Sequence, residues 1–204
     1  MSRTAKTFAA VLIVTMAVIA GVFLRHAVEE PRGVSVSPAV KPFSLTDQSG
    51  RPVTEASYRG RWLLLFFGFI RCPDVCPTSM LYAADLLKAL GAEARNLQIA
   101  FVTVDPERDT PAVLRDYLAN FDPRLAGLTG SPEQISAVTK AFGAYYAKRA
   151  LEGLDDYTMD HSTAFYLVNA DGKFQRAFAL NDDSDGLTDE LRAAMSAASP
   201  AQKE

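Results

Sequence analysis

Trp62-Leu63-Leu64-Leu65-Phe66-Phe67-Gly68-Phe69 is a short apolar run, and Cys72-Pro73-Asp74-Val75-Cys76-Pro77 follows almost at once. A run this short and this uniformly apolar reads as a strand buried on both faces, as in the middle of a parallel sheet. Pro77 suits the first position of a helix, where its missing N–H would have been unpaired anyway. Met80, Ala84, Leu87 and Leu90 then recur at helical spacing. The pattern predicts a strand, a loop carrying two cysteines, and a helix.

The elements that follow complete an α/β unit. Leu97 to Val104 is a second buried strand, and Thr110-Pro111 starts a helix with Leu114, Leu118 and Phe121 on one face. Ser131-Pro132-Glu133-Gln134 is a capping box with proline at the first helical position. Its helix is expected to carry Ile135, Val138, Phe142 and Tyr145 along one side. Thr163 to Val168 reads as a third strand, Asp171-Gly172 as a hairpin turn, Phe174 to Leu180 as a fourth strand, and Leu187 to Ala197 as a closing helix. Ahead of these, Phe43 to Gly50 suggests a small hairpin with its turn at Asp47-Gln48-Ser49-Gly50. A parallel βαβ unit, then an antiparallel hairpin and a last helix, is the thioredoxin-like layout with an N-terminal hairpin extension. Its reactive loop follows the first central strand, where the cysteines stand.

The N-terminus carries a separate signal. Arg3 and Lys6 precede an uncharged run from Thr7 to Leu24 with no polar face. As a helix it would cover ~27 Å, close to the hydrocarbon thickness of a bilayer. Val18-Ile19-Ala20 resembles a signal-peptidase motif, but the run continues through Phe23 and Leu24, so a retained anchor is expected. Positive charge before the span holds the N-terminus in the cytoplasm and exports the remainder, into the periplasm if the source is bacterial. The expected organisation is a cytoplasmic N-terminus (1–6), a transmembrane signal anchor (7–24), a flexible tether (25–41), one thioredoxin-like domain (42–198) and a tail (199–204). Net charge is −3, without a basic cluster outside the N-terminus, so nucleic acid is not an expected partner.

Only two cysteines and two histidines occur in 204 residues, which rules out a four-cysteine zinc site. The C-x-x-x-C spacing lets two sulfurs bridge each other or grip one soft metal ion. Cys76 at a helix N-terminus, Arg71 beside Cys72 and a partly exposed loop all favour thiolates. A structural disulfide is the plain alternative, although a bridge closing so small a loop stabilises little. His161, in Tyr157-Thr158-Met159-Asp160-His161-Ser162, stands just before the third strand. There it would face the cysteine loop and complete a set of two sulfurs and one nitrogen. A lone histidine is by default a solvated surface residue, and His26 in the tether is read that way. Asp160 is either a carboxylate orienting the imidazole or an exposed loop acid. Asp74 is a candidate helix cap, and Met159 is expected to pack.

These pieces together resemble the SCO/SenC family. The matching stretches are Phe43-Ser44-Leu45-Thr46-Asp47-Gln48-Ser49-Gly50, Phe67-Gly68-Phe69, Cys72-Pro73-Asp74-Val75-Cys76-Pro77, Val104-Asp105-Pro106-Glu107-Arg108-Asp109-Thr110-Pro111 and Asp160-His161-Ser162. They occur in the family's order between Phe43 and Leu180. The resemblance implies a thioredoxin fold that binds Cu(I) or Cu(II) through Cys72, Cys76 and His161. It also implies assistance to the copper centre of cytochrome c oxidase subunit II, by copper delivery, by cysteine reduction, or by both. Another copper chaperone or a thioredoxin-like reductant would then be a further partner. Two stretches depart from the family pattern. Ile70-Arg71 replaces the usual Thr-His before the first cysteine, and Met159 replaces the usual Val before Asp-His. The competing reading is a thiol–disulfide oxidoreductase cycling Cys72 and Cys76, and a more distant one a peroxidase using Cys72.

Overall fold

The computed structural model describes residues 39–179 and 184–198. The expected anchor (7–24), most of the expected tether, His26 and the tail (199–204) lie outside the described residues. Among the described residues, no helix is long and apolar enough to cross a membrane.

The elements in chain order are β1 (Ser44–Asp47), β2 (Pro52–Thr54), β3 (Trp62–Gly68), α1 (Val75–Leu90), β4 (Leu97–Thr103), α2 (Pro111–Leu118), β5 (Ala126–Thr129), α3 (Pro132–Phe142), β6 (Tyr146–Ala150), β7 (Tyr157–His161), β8 (Ala164–Val168), β9 (Phe174–Ala179) and α4 (Ser184–Ala198). Among the described residues, seven strands form one sheet in the order β2-β1-β5-β4-β3-β8-β9, and β6 and β7 form a separate two-stranded hairpin. β3 runs parallel to β4, and β4 parallel to β5, while β8 is antiparallel to β3. The βαβ unit followed by an antiparallel hairpin, as expected from the sequence, is the centre of the sheet.

Every residue of β3 is buried. Side chains of successive residues leave a strand on opposite faces, and the aromatic clusters show it. Phe66 packs with Phe101 and Phe165, and Phe101 with Tyr117 of α2. The ring of Phe67 meets Phe142 of α3 and Tyr166 instead. Each buried Phe of this kind contributes on the order of 3–5 kcal/mol against truncation to alanine.

Several boundaries differ from the sequence expectation. α1 begins at Val75, so Pro77 occupies its third position, still among the first N–H groups that no helix satisfies internally. α2 stops at Leu118, and Phe121 lies in the turn beyond it. α3 ends at Phe142 because Gly143 takes φ +67°, and the Gly143 and Ala144 N–H groups close on the Lys140 and Thr139 carbonyls. Tyr145 therefore leaves the helix face expected for it and is 60% exposed. β5 and the β6–β7 hairpin have no counterpart in the sequence reading. The N-terminal hairpin is real, with Leu45 paired to Val53, and it joins the main sheet through β1 and β5.

Candidate metal centre

The centre is assembled from two directions. β3 delivers the chain to Phe69, and the Cys72 N–H donates to the Phe69 carbonyl at 3.2 Å, turning the loop over the end of the sheet. α1 then begins, with Cys76 in its first turn and fully buried, while Cys72 is half-buried. The expectation of a partly exposed loop thus holds for the first cysteine and fails for the second. Cys76 is buried because its sulfur lies over Gly68, where an added Cβ would stand 2.7 Å from Sγ and 2.9 Å from the Phe101 ring. A glycine inside an apolar strand is the sequence signal of such a close approach.

His161 arrives on the β6–β7 hairpin as the last residue of β7, rather than on a loop before the third strand. Residues two apart along a strand share a face. Tyr157, Met159 and His161 therefore share one face of β7, and Met159 is buried there, as the packing expectation required. The His161 ring meets the rings of Phe66 and Phe69 edge-on, with centroids 6.0 and 5.7 Å away. Its Nδ1 lies 2.9 Å from the Ser162 carbonyl oxygen. A carbonyl can only accept, so Nδ1 carries the hydrogen and Nε2 presents its lone pair. Nε2 faces the Cys76 sulfur at 3.5 Å. The partner that orients the imidazole is therefore a backbone carbonyl and not Asp160, whose carboxylate pairs with Arg149 at 3.3 Å. Asp74 makes no side-chain cap; its carbonyl accepts from the Thr78 hydroxyl at 2.9 Å.

The Cys72 and Cys76 sulfurs and a His161 nitrogen all lie within 4.8 Å of one another. Donors bonded to one ion at ~2.0–2.3 Å stand roughly 3.5–4 Å apart, so a small closure brings these three around a single ion. Two sulfurs and an imidazole favour a soft or borderline ion over Mg²⁺ or Ca²⁺.

The two thiols are unequal. Cys72 is drawn from the ordinary thiol value of 9.0 to about 4, first by the hydrogen bond from the Cys76 thiol. Burial opposes this, and the Asp74 and Cys76 N–H groups add to it. The Cys76 N–H lies 3.5 Å from the Cys72 sulfur. Cys76 is pushed above the thiol range, first as donor to Cys72 and then by burial. The unbridged pair holds one proton on Cys76 and presents a thiolate at Cys72.

The sequence reading did not identify the supports of this centre. Asp109, buried beneath it, accepts from the Ile70 N–H at 3.1 Å and the Thr103 hydroxyl at 2.6 Å, which ties the cysteine loop to the segment after β4. Burial raises the Asp109 pKa, and those hydrogen bonds only partly offset the effect.

A sequence profile described as SCO1/SenC matches residues 33–196. The mitochondrial SCO2 homolog of Bos taurus is 42% identical over 157 residues, which is 76% of this chain and 59% of that protein. The chain thus spans less than two thirds of that relative. The structure of Bradyrhizobium japonicum ScoI with copper bound is similar at a TM-score of 0.71 and 42% identity, covering 76% of this chain and 99% of that one. BsSco, a member of the Sco family of cytochrome c oxidase assembly proteins in which a disulfide switch was identified, is similar at a TM-score of 0.61 and 29% identity, over 79% of this chain and 95% of that one. By the extent of the profile match and the identity of these relatives, the chain belongs to the SCO1/SenC family.

Proposed function

We propose that this protein is a membrane-anchored copper carrier in which Cys72, Cys76 and His161 hold one copper ion for delivery to the copper centre of cytochrome c oxidase subunit II. The observation that carries the reading is the convergence of two sulfurs and one lone-pair nitrogen within 4.8 Å. Copper bound in ScoI and the assembly role of the family described for BsSco support it. Thiolates suit Cu(I), and an added imidazole suits both Cu(I) and Cu(II). Cys72, as the half-buried thiolate, is the accessible donor to which an incoming or departing ion is first or last bound. Residues 7–24 would anchor the protein in the inner membrane, residues 25–41 would tether it, and the domain over 42–198 would work in the periplasm of a bacterium.

The test is an anaerobic Cu(I) titration of the reduced full chain in detergent against a competing chelator. One equivalent bound, with the affinity sharply weakened in both Cys72→Ala and His161→Ala, supports the site. No competitive binding overturns it.

A second reading is favoured by the thiolate at Cys72 beside a protonated Cys76, the arrangement needed for thiol–disulfide exchange with a client cysteine. It predicts that His161→Ala leaves exchange rates intact while abolishing tight copper binding. A thioredoxin-like reductant or another copper chaperone would then serve as upstream partner.

A further inference from the structure

The β6–β7 hairpin stands apart from the main sheet, and a two-stranded hairpin alone is marginal in water. Among its strand residues only Met159 is buried. Tyr146 and Tyr157 pack only partly against the core that Met159 enters, yet this hairpin carries the nitrogen of the candidate site, so its polar contacts bear on where that nitrogen stands.

The fixing contacts converge on Tyr157, at the opposite end of β7 from His161 and on the same face. Its hydroxyl donates to Asp105 Oδ1 at 2.8 Å and lies 3.3 Å from Glu107 Oε2. Its ring is contacted by the Arg108 guanidinium at 3.7 Å and the Lys148 ammonium at 3.8 Å. Arg108 also donates to the Tyr157 carbonyl at 3.0 Å and pairs with Asp156 at 3.1 Å. Lys148 pairs with Glu107 at 2.7 Å. Arg108 is in turn held by Asp105, which is buried.

Asp105, Glu107 and Arg108 belong to the same short segment as Asp109, whose carboxylate holds the Ile70 N–H of the cysteine loop. One segment after β4 therefore grips the cysteine loop at one end and the histidine hairpin at the other.

We propose that Tyr157 is the positioning residue of the copper site: clamped between Arg108 and Lys148 and bonded to Asp105, it holds β7 so that His161 stays over the cysteines, and releasing it frees the nitrogen from the ion. This rests on the copper-carrier reading, and its consequence is that the clamp governs copper retention without touching the ion.

The experiment uses the full chain in detergent. Cu(I) affinity is measured by chelator competition for Tyr157→Phe and Tyr157→Ala, each in the native and the His161→Ala background. Loss of a residue that orients a ligand costs roughly 10–100-fold in metal affinity. Tyr157→Ala is expected to show that loss with His161 present and no further loss once His161 is gone, the signature of two residues acting through one contact. Tyr157→Phe, which keeps the ring and loses the hydroxyl, is expected to fall between. Equal losses in both backgrounds, or none in either, overturn the proposal. Hydrogen exchange of the Tyr146–His161 amides reads the clamp without copper. Faster exchange in Tyr157→Ala supports the clamp even if the native chain binds no copper, and unchanged exchange overturns it.

Discussion

Arg71 Nη1 and Asp156 Oδ2 lie 3.2 Å apart, joining the residue before Cys72 to the residue before Tyr157. Asp156 is shared, because its other oxygen takes Arg108 at 3.1 Å. The arginine that departs from the family pattern thus forms a direct bridge between the cysteine loop and the histidine hairpin. Both side chains are about half exposed, at 61% and 45%, so water and salt weaken the pair. Arg71→Gln should cost no more than ~1 kcal/mol of hairpin docking at low salt, and almost nothing at about 0.5 M salt, where the Debye length falls to a few Å. Copper dissociation rates at the two ionic strengths check this. An effect that persists in high salt would mean that Arg71 acts through something other than its charge.

Cys72 should behave as a thiolate far below the ordinary thiol range. Its pKa of about 4 depends first on the Cys76 thiol donating to it. A thiolate is lost as pH falls through its pKa, so alkylation of the reduced, metal-free protein at Cys72 should be nearly flat from neutral pH to about 5 and should fall through about 4. Cys76 should resist alkylation throughout. Cys76→Ala removes the first cause, so reactivity at Cys72 should then climb with pH across the neutral range. Peptide mapping after timed iodoacetamide treatment gives both profiles. Parallel profiles in the native protein and the variant would sink the account.

Gly68 has no room for a side chain. A Cβ there would press on the Cys76 sulfur at 2.7 Å and on the buried Phe101 ring at 2.9 Å. Gly68→Ala should destabilise the domain by about 1–3 kcal/mol, the usual cost of overpacking a core. It should also displace the sulfur and weaken copper binding. Urea unfolding and chelator competition measure the two losses. A stable variant with native affinity would show that α1 can shift to accommodate the methyl group.

Asp47 sets an acid limit far from the metal site. Burial raises its pKa, but the Ser49 hydroxyl, the Arg51 and Ser49 N–H groups and the Arg51 guanidinium outweigh that and bring it from 3.8 to about 2. A depressed carboxyl stabilises the fold above its unfolded pKa, and that contribution disappears as pH falls through the folded value. The contribution at neutral pH is about 2 kcal/mol, lost between pH 4 and 2. Asp47→Asn should flatten the stability profile across that window in chemical unfolding experiments. An unchanged slope would place the acid sensitivity elsewhere.

The parts of the fold that were legible in the sequence are those whose patterns are local. β3 and β4 are short apolar runs, the Ser131 box with Pro132 marks a helix start, and the cysteines follow directly from β3. β5 was not legible because Ala126-Gly127-Leu128-Thr129 is too short for any periodicity. The β6–β7 hairpin is not legible because Tyr146-Ala147-Lys148-Arg149-Ala150 shows no clean alternation and is largely exposed, and its polar anchorage comes from Asp105, Glu107 and Arg108, about fifty residues before Tyr157. Spacing alone puts Tyr145 on the helix, and the left-handed Gly143 overrides it. All three members of the candidate site were visible as residue types. The group that orients His161 was not, because a backbone carbonyl leaves no mark on residue identity, and Asp160 was the more conspicuous neighbour.

The sulfur and nitrogen that meet at 3.5 Å come from residues 85 positions apart. An emerging chain cannot bring them together until β1 to β7 have been made, and β8, which pairs with β3, is made only after His161. The complete grip on an ion therefore appears only when the long-range contacts have formed, and the ion in turn adds its binding energy to the finished state alone. On the copper-carrier reading, a half-made or misfolded copy lacks the complete site and competes poorly for copper.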